Sequence, residues 1–232
     1  MARNRLVWLV CLTILSVLPA GATFVAYTDL ALWEQVTTLS ATTIDFSSLG
    51  VPVGGAITYP LLVIGDITFT TTDSQMQVVN ASTPQYYYNW GTTSILRTDT
   101  DGRFLKATWT TPVTAFAASM GINKWTAPNW LPSQMKVEVR SGGTVVWQQT
   151  LVTSAHPTPT FFGIVSTNPA ETFDSVTFTP AEGNSTGAFL DDVRLSAYQD
   201  PASTPEMGTG VLSLCGGILL AAGGFRKRLK PS

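Results

Sequence analysis

Beyond Thr38 the chain has no stretch in which apolar residues recur every three to four positions; it alternates apolar and polar residues with a period of two. Segments of that kind have one wet and one dry face, and the dry face has to be covered by a second layer, which limits the chain to packed β-sheets. The clearest case is Met135 to Arg140, where Val137 and Val139 point one way and Lys136, Glu138 and Arg140 the other. Ser141-Gly142-Gly143 follows, able to take the positive φ of a tight turn, and Thr144 to Trp147 completes a hairpin. Further strands are expected at Thr42 to Phe46, Gly65 to Thr70, Phe104 to Thr110, Val113 to Gly121, Phe161 to Val165, Phe173 to Thr179 and Ala188 to Ala197. Before them one short helix is expected, capped by Asp29, with Leu30, Trp33, Val36 and Thr37 on one narrow face. Roughly eight to ten short strands at this spacing indicate an all-β chain with a single, jelly-roll-like β-sandwich. Composition agrees: only 12% of residues are charged and 44% are hydrophobic, enough for a core and unlike a disordered or collagen-like chain.

Both cysteines, Cys11 and Cys215, lie in apolar end segments, so the region between them holds no disulfide and no thiolate zinc site. Arg3 and Arg5 precede the apolar run Leu6 to Leu18, and small residues follow in Pro19-Ala20-Gly21-Ala22. Residues 1–22 therefore read as a signal peptide cut by signal peptidase after Ala22, because so short a run does not span ~30 Å of hydrocarbon. At the other end residues 201–207 form a polar, proline-bearing linker. Eighteen uncharged residues, 208–225, follow it, and then a basic tail, 226–232. Eighteen helical residues reach only ~27 Å, and six glycines weaken the helix further. An apolar segment followed by Lys and Arg stops in the membrane with its tail in the cytoplasm.

The order Thr204-Pro205-Glu206-Met207, glycine-rich apolar segment, terminal Arg/Lys cluster resembles the PEP-CTERM sorting signal of Gram-negative, biofilm-forming bacteria. Met207 stands where that family usually carries a second proline. The resemblance implies recognition of Pro205 and Glu206 by an exosortase, a membrane transpeptidase-like enzyme. It implies sorting to the cell envelope or exopolysaccharide matrix, with at least transient residence in the inner membrane. Thr43 to Phe46, Phe161 to Val165, Asp174 to Phe178 and Phe189 to Leu195 resemble the exported sandwich often attached to this signal, which is similar to the galactose-binding-like jelly rolls of carbohydrate-binding modules.

Residues 23–200 carry seven Lys/Arg against fourteen Asp/Glu, a net charge of −7. A domain this acidic does not neutralise phosphates, so nucleic acid is not an expected partner, whereas a divalent cation is a reasonable guest. Alternation through Phe189, Asp191, Val193 and Leu195 sets Asp191 on an apolar face, where a carboxylate needs compensation by calcium, an arginine or backbone N–H groups. Asp45, between Ile44 and Phe46, is a second candidate calcium ligand, and the jelly-roll resemblance is what implies that the two lie close. Asp99-Thr100-Asp101-Gly102 fails as an EF-hand, because Arg97 and Thr108 stand where ligands are needed, and reads as a turn. Two aromatic stretches, Tyr86 to Trp90 and Trp125 to Trp130, read as loops. Exposed rings there, Tyr87, Trp90, Trp125 and Trp130, would suit stacking on sugars of an exopolysaccharide, and rings folded inward would close the core. Trp33, Trp109 and Trp147 are assigned to the core.

His156, the sole histidine, lies in a proline-rich loop, and no Gly-x-Ser-x-Gly accompanies it. The reading is a non-enzymatic exported matrix or envelope protein, structural or carbohydrate-binding. One alternative is a secreted glycan-active hydrolase built on two of the carboxylates, and the other is a single-pass protein that keeps its C-terminal helix.

Overall fold

The computed structural model describes residues 23–38, 42–72, 75–80, 94–98, 103–123, 125–126, 129–130, 132–154, 158–181 and 186–200. The expected signal peptide, sorting motif, apolar segment and basic tail lie outside the described residues. Residues 1–198 form one compact unit and 199–232 another. No helix among the described residues is long and apolar enough to cross a membrane.

Two antiparallel sheets make a β-sandwich. The larger runs β1 (Phe24–Tyr27), β14 (Thr160–Ser166), β9 (Ala115–Asn123), β16 (Thr186–Ser196), β7 (Ile95–Thr98), β6 (Met76–Val79), β3 (Ala56–Tyr59), and β2 (Thr42–Ile44) also pairs with β16. The smaller runs β13 (Thr144–Val152), β12 (Gln134–Ser141), β15 (Phe173–Pro180), β8 (Leu105–Val113), β5 (Ile67–Thr71), β4 (Leu62–Ile64). A separate ribbon joins β10 (Trp125–Thr126) to β11 (Asn129–Trp130). The chain passes between the large sheets at β3–β4, β5–β6, β7–β8, β8–β9, β13–β14, β14–β15 and β15–β16, and from β9 to β12 by way of the ribbon, so neighbours in sequence are often in opposite layers.

The expected hairpin forms as β12 and β13, with Gly142 and Gly143 at φ 55° and 84° in its turn. Its alternation holds: Met135, Val137 and Val139 are buried in the core. Between the sheets Trp109 stacks on Phe116 at 5.5 Å, and its Nε1 donates to the Phe173 carbonyl at 3.0 Å. Phe178, Phe162 and Trp147 extend this row with centroid separations of 6.0, 6.0 and 5.8 Å. Trp33 and Trp109 are buried as expected, while Trp147 is half-buried at the end of the row.

The outer face of the larger sheet is partly covered as well. The helix Leu30–Gln35 begins where Asp29 Oδ1 accepts the Leu32 N–H at 3.1 Å. Its Trp33 packs with Ala115, Ala117 and Val165, beside Tyr27, Leu30, Val36 and Phe161. Thr37, expected on the apolar face, is buried, and its hydroxyl donates to the Trp33 carbonyl at 3.0 Å, which satisfies a polar group that would otherwise be costly there.

One boundary differs from the alternation. The strand expected at Thr42 to Phe46 ends at Ile44, because Phe46 turns into the left-handed region at φ 55° and starts the 3-10 turn Ser47–Leu49. The strain is carried by burial: Phe46 is fully enclosed and meets Phe69 edge-on at 5.3 Å.

Gly163 of β14 lies directly beneath the Trp33 ring; a Cβ there would touch Trp33 Cδ1 and sit 2.9 Å from Cγ. Gly163→Ala is expected to lift the helix from the sheet at a cost of about 1–3 kcal/mol. Urea unfolding monitored by tryptophan fluorescence checks this, and an unchanged midpoint would mean that Trp33 does not seat on β14.

Candidate functional site

The longest strand, β16, contains the sequence's main candidate, and its pairing breaks at that point. Against β9, Asp191 opposes Ser119 and Arg194 opposes Ala117, so one extra residue is accommodated on β16. Along the other edge the partners change at the same place: β7 pairs with Phe189 and Leu190, and β2 with Val193 to Leu195. Asp191 and Asp192 fall between the two registers. Asp192 takes φ 48°, which aspartate tolerates better than most residues. The result is a β-bulge in the middle of a sheet.

The bulge corrects the expected facing of Asp191. Ala188 and Leu190 before it, and Val193 and Leu195 after it, face the sandwich core, so the inserted residue reverses the alternation. Asp191 belongs with Phe189 on the outer face of the larger sheet, not with Val193 and Leu195. It is nevertheless 0% exposed. On the same face Arg97 is paired in register with Phe189 and with Gln77, and its Nε donates to Gln77 Oε1 at 3.0 Å. Ser119 Oγ reaches Asp192 Oδ2 at 3.5 Å. Arg194 also lies outward, as expected, and its Nη1 meets Glu34 Oε1 of the helix at 2.7 Å. A semi-buried polar group of Gln77, Arg97, Ser119, Asp191 and Asp192 thus lies on a sheet whose other face is core.

Asp45 is brought alongside this group by the pairing of Ile44 with Val193. It is exposed, and its Oδ1 accepts the Ser47 N–H at 3.1 Å, closing the turn that follows β2. The described residues contain no group of three or more His, Cys, Asp or Glu able to hold a metal. Calcium usually takes six to eight oxygens, so Asp191 and Asp45 would supply only part of a shell. Sequence reasoning passed over Gln77, Arg97 and Ser119. The available signal was Arg97 itself, a cation directly after the apolar pair Ile95-Leu96.

Of the expected sugar-stacking residues, Tyr87 and Trp90 lie outside the described residues, as do His156, Pro205, Glu206 and the segment 99–102. Trp125 and Trp130 fall on β10 and β11, where they oppose each other, so the stretch read as a loop is a short antiparallel ribbon. The Trp-Thr and Asn-Trp strands are too short to show a period, which is why alternation missed them. At the hairpin end of the sandwich an open groove of about 260 Å³ is lined by Phe24, Ser141, Val146, Ala170, Glu171 and Thr172. Among the described residues Glu171 is the only carboxylate lining it and accepts from Asn168 Nδ2 at 3.2 Å, whereas glycoside hydrolysis commonly takes a pair.

The chain matches no family model and no curated protein sequence.

Backbone geometry at Asp192 gives a direct test of the bulge. Asp192→Gly should be neutral or stabilising, and Asp192→Ala should be less stable than the glycine variant by about 1 kcal/mol, since only glycine takes positive φ without penalty. Equal denaturation midpoints for the two variants would place residue 192 in ordinary extended backbone.

Proposed function

We propose that this chain is an exported, non-enzymatic protein of a Gram-negative cell envelope or exopolysaccharide matrix, delivered by an exosortase that recognises Pro205 and Glu206. The observation that carries the reading is the order of Thr204 to Met207, eighteen uncharged residues and an Arg/Lys cluster at the C-terminus. An N-terminal basic pair ahead of an apolar run supports export by the same membrane. A β-sandwich agrees with the jelly-roll resemblance, and a rigid acidic sandwich is a reasonable matrix component or polysaccharide binder. Tyr87, Trp90, Trp125 and Trp130 are the rings proposed to meet sugar.

Intact mass and terminal peptides of the protein, taken from hosts with and without an exosortase, test the address. Loss of the residues beyond Pro205-Glu206 only in the exosortase host is the expected result. A tail running to Ser232 in both hosts would make the protein a permanently anchored single-pass one.

Calcium at Asp191 and Asp45 is the accessory part of this reading, supported by their neighbouring strand positions. Added calcium should raise the melting temperature, and EDTA or Asp45→Asn should cancel the rise. A melting curve indifferent to calcium would remove the metal and leave the rest of the proposal standing.

A further inference from the structure

Among the described residues the two sheets end on five edge strands, and four are short: β1 and β3 have four residues each, β2 and β4 three. Short edges resist pairing with other chains. The fifth edge, β13, is nine residues long, from Thr144 to Val152, and contains no charge and no proline. Among the described residues only β12 pairs with it. Its one irregularity, the register shift opposite Val139 and Arg140, lies near the turn and leaves Trp147 to Val152 in regular register with β12. Val145, Val146 and Val152 are exposed, the last at 68%. In a region of net charge −7, an uncharged edge with protruding valines is not made to stay apart from other strands.

What would lie beside it follows from the order of its residues. About Gln149 the strand reads nearly the same in both directions: Val146-Trp147-Gln148, then Gln149, then Thr150-Leu151-Val152. We propose that β13 pairs antiparallel with β13 of a second copy of this chain, about a two-fold axis at Gln149. In that register Val146 opposes Val152, Trp147 opposes Leu151, Gln148 opposes Thr150, and Gln149 meets Gln149 of the second copy. Trp147, Gln149 and Leu151 lie opposite Val139, Val137 and Met135, so they share the core-side face of β12. A two-fold axis normal to the sheet keeps that face continuous across both copies, and the two six-stranded sheets become one. A partner of opposite charge would be met by complementary charges on this edge, and there are none. Apolar side chains instead meet apolar ones at both ends, with amides and a hydroxyl between them.

Gln149 is exposed although it stands on the core-side face, so its replacement reports on pairing where the sandwich itself is unaltered. The full mature protein in detergent should sediment as a dimer. Gln149→Lys and Gln149→Glu should each weaken the dimer several-fold by setting like charges opposite each other. An equimolar mixture of the two should recover it, because Lys then faces Glu. A monomeric parent protein, a dimer indifferent to both substitutions, or a mixture that fails to recover would each overturn the pairing, and circular dichroism of both variants confirms that the sandwich is unaltered.

Discussion

Five aromatic rings, supplied alternately by the two sheets, keep the layers at one spacing. Trp109, Phe178 and Trp147 come from the smaller sheet, and Phe116 and Phe162 from the larger. Each ring meets the next across the gap, so no strand in the row can slide without parting at least one ring contact. Offset and edge-on ring pairs add about 0.5–1.5 kcal/mol each to the area they bury. The row also determines which residues of every other strand face inward. Once Phe116 and Phe162 are inside, Ala117, Ser119 and Gly163 are outside, and the helix has its seat.

On that outer face the sheet behaves unlike an ordinary wet surface. Trp33 covers β14 and β9 at one side, and Arg194 ties the helix to β16 through Glu34. Further along lie Asp191, Arg97 and Gln77. An exposed ion pair contributes little to stability, about 0–1 kcal/mol, so Arg194 and Glu34 position the helix more than they hold it. Burial of Trp33 against Gly163 is the stronger tie. The same strand therefore serves the core with one set of side chains and a polar group with the other, and the bulge at Asp192 is where the two sets exchange places.

Much of this was legible in the sequence where period and punctuation agreed. Val137 and Val139 alternating with charges, followed by Gly142-Gly143, place the hairpin almost residue by residue. Asp29 ahead of Leu30 and Trp33 likewise predicts the helix. Alternation fails at Asp191 because a single inserted residue inverts the pattern beyond it, and Phe189, Asp191, Val193 and Leu195 look continuous either way. Phe46 at positive φ is equally hidden, since phenylalanine is a poor resident of that region and only the enclosed site holds it there. Ala56–Tyr59, Leu62–Ile64, Met76–Val79 and Ile95–Thr98 are strands too short to show a period. The polar group around Arg97 depends on pairings between distant strands, which one linear pattern does not encode.

The order of pairing has a consequence in time. The first two strands, β1 and β2, find their partners in β14 and β16, which follow some 136 to 153 residues later. A chain synthesised from its N-terminus must therefore hold its early strands open until nearly all of the sandwich has been made. Strand β16 comes last and joins β9, β7 and β2 into one sheet. Closure of the larger sheet thus waits for its last strand, and any delay in placing β16 would leave β2 without its partner and β9 and β7 unjoined.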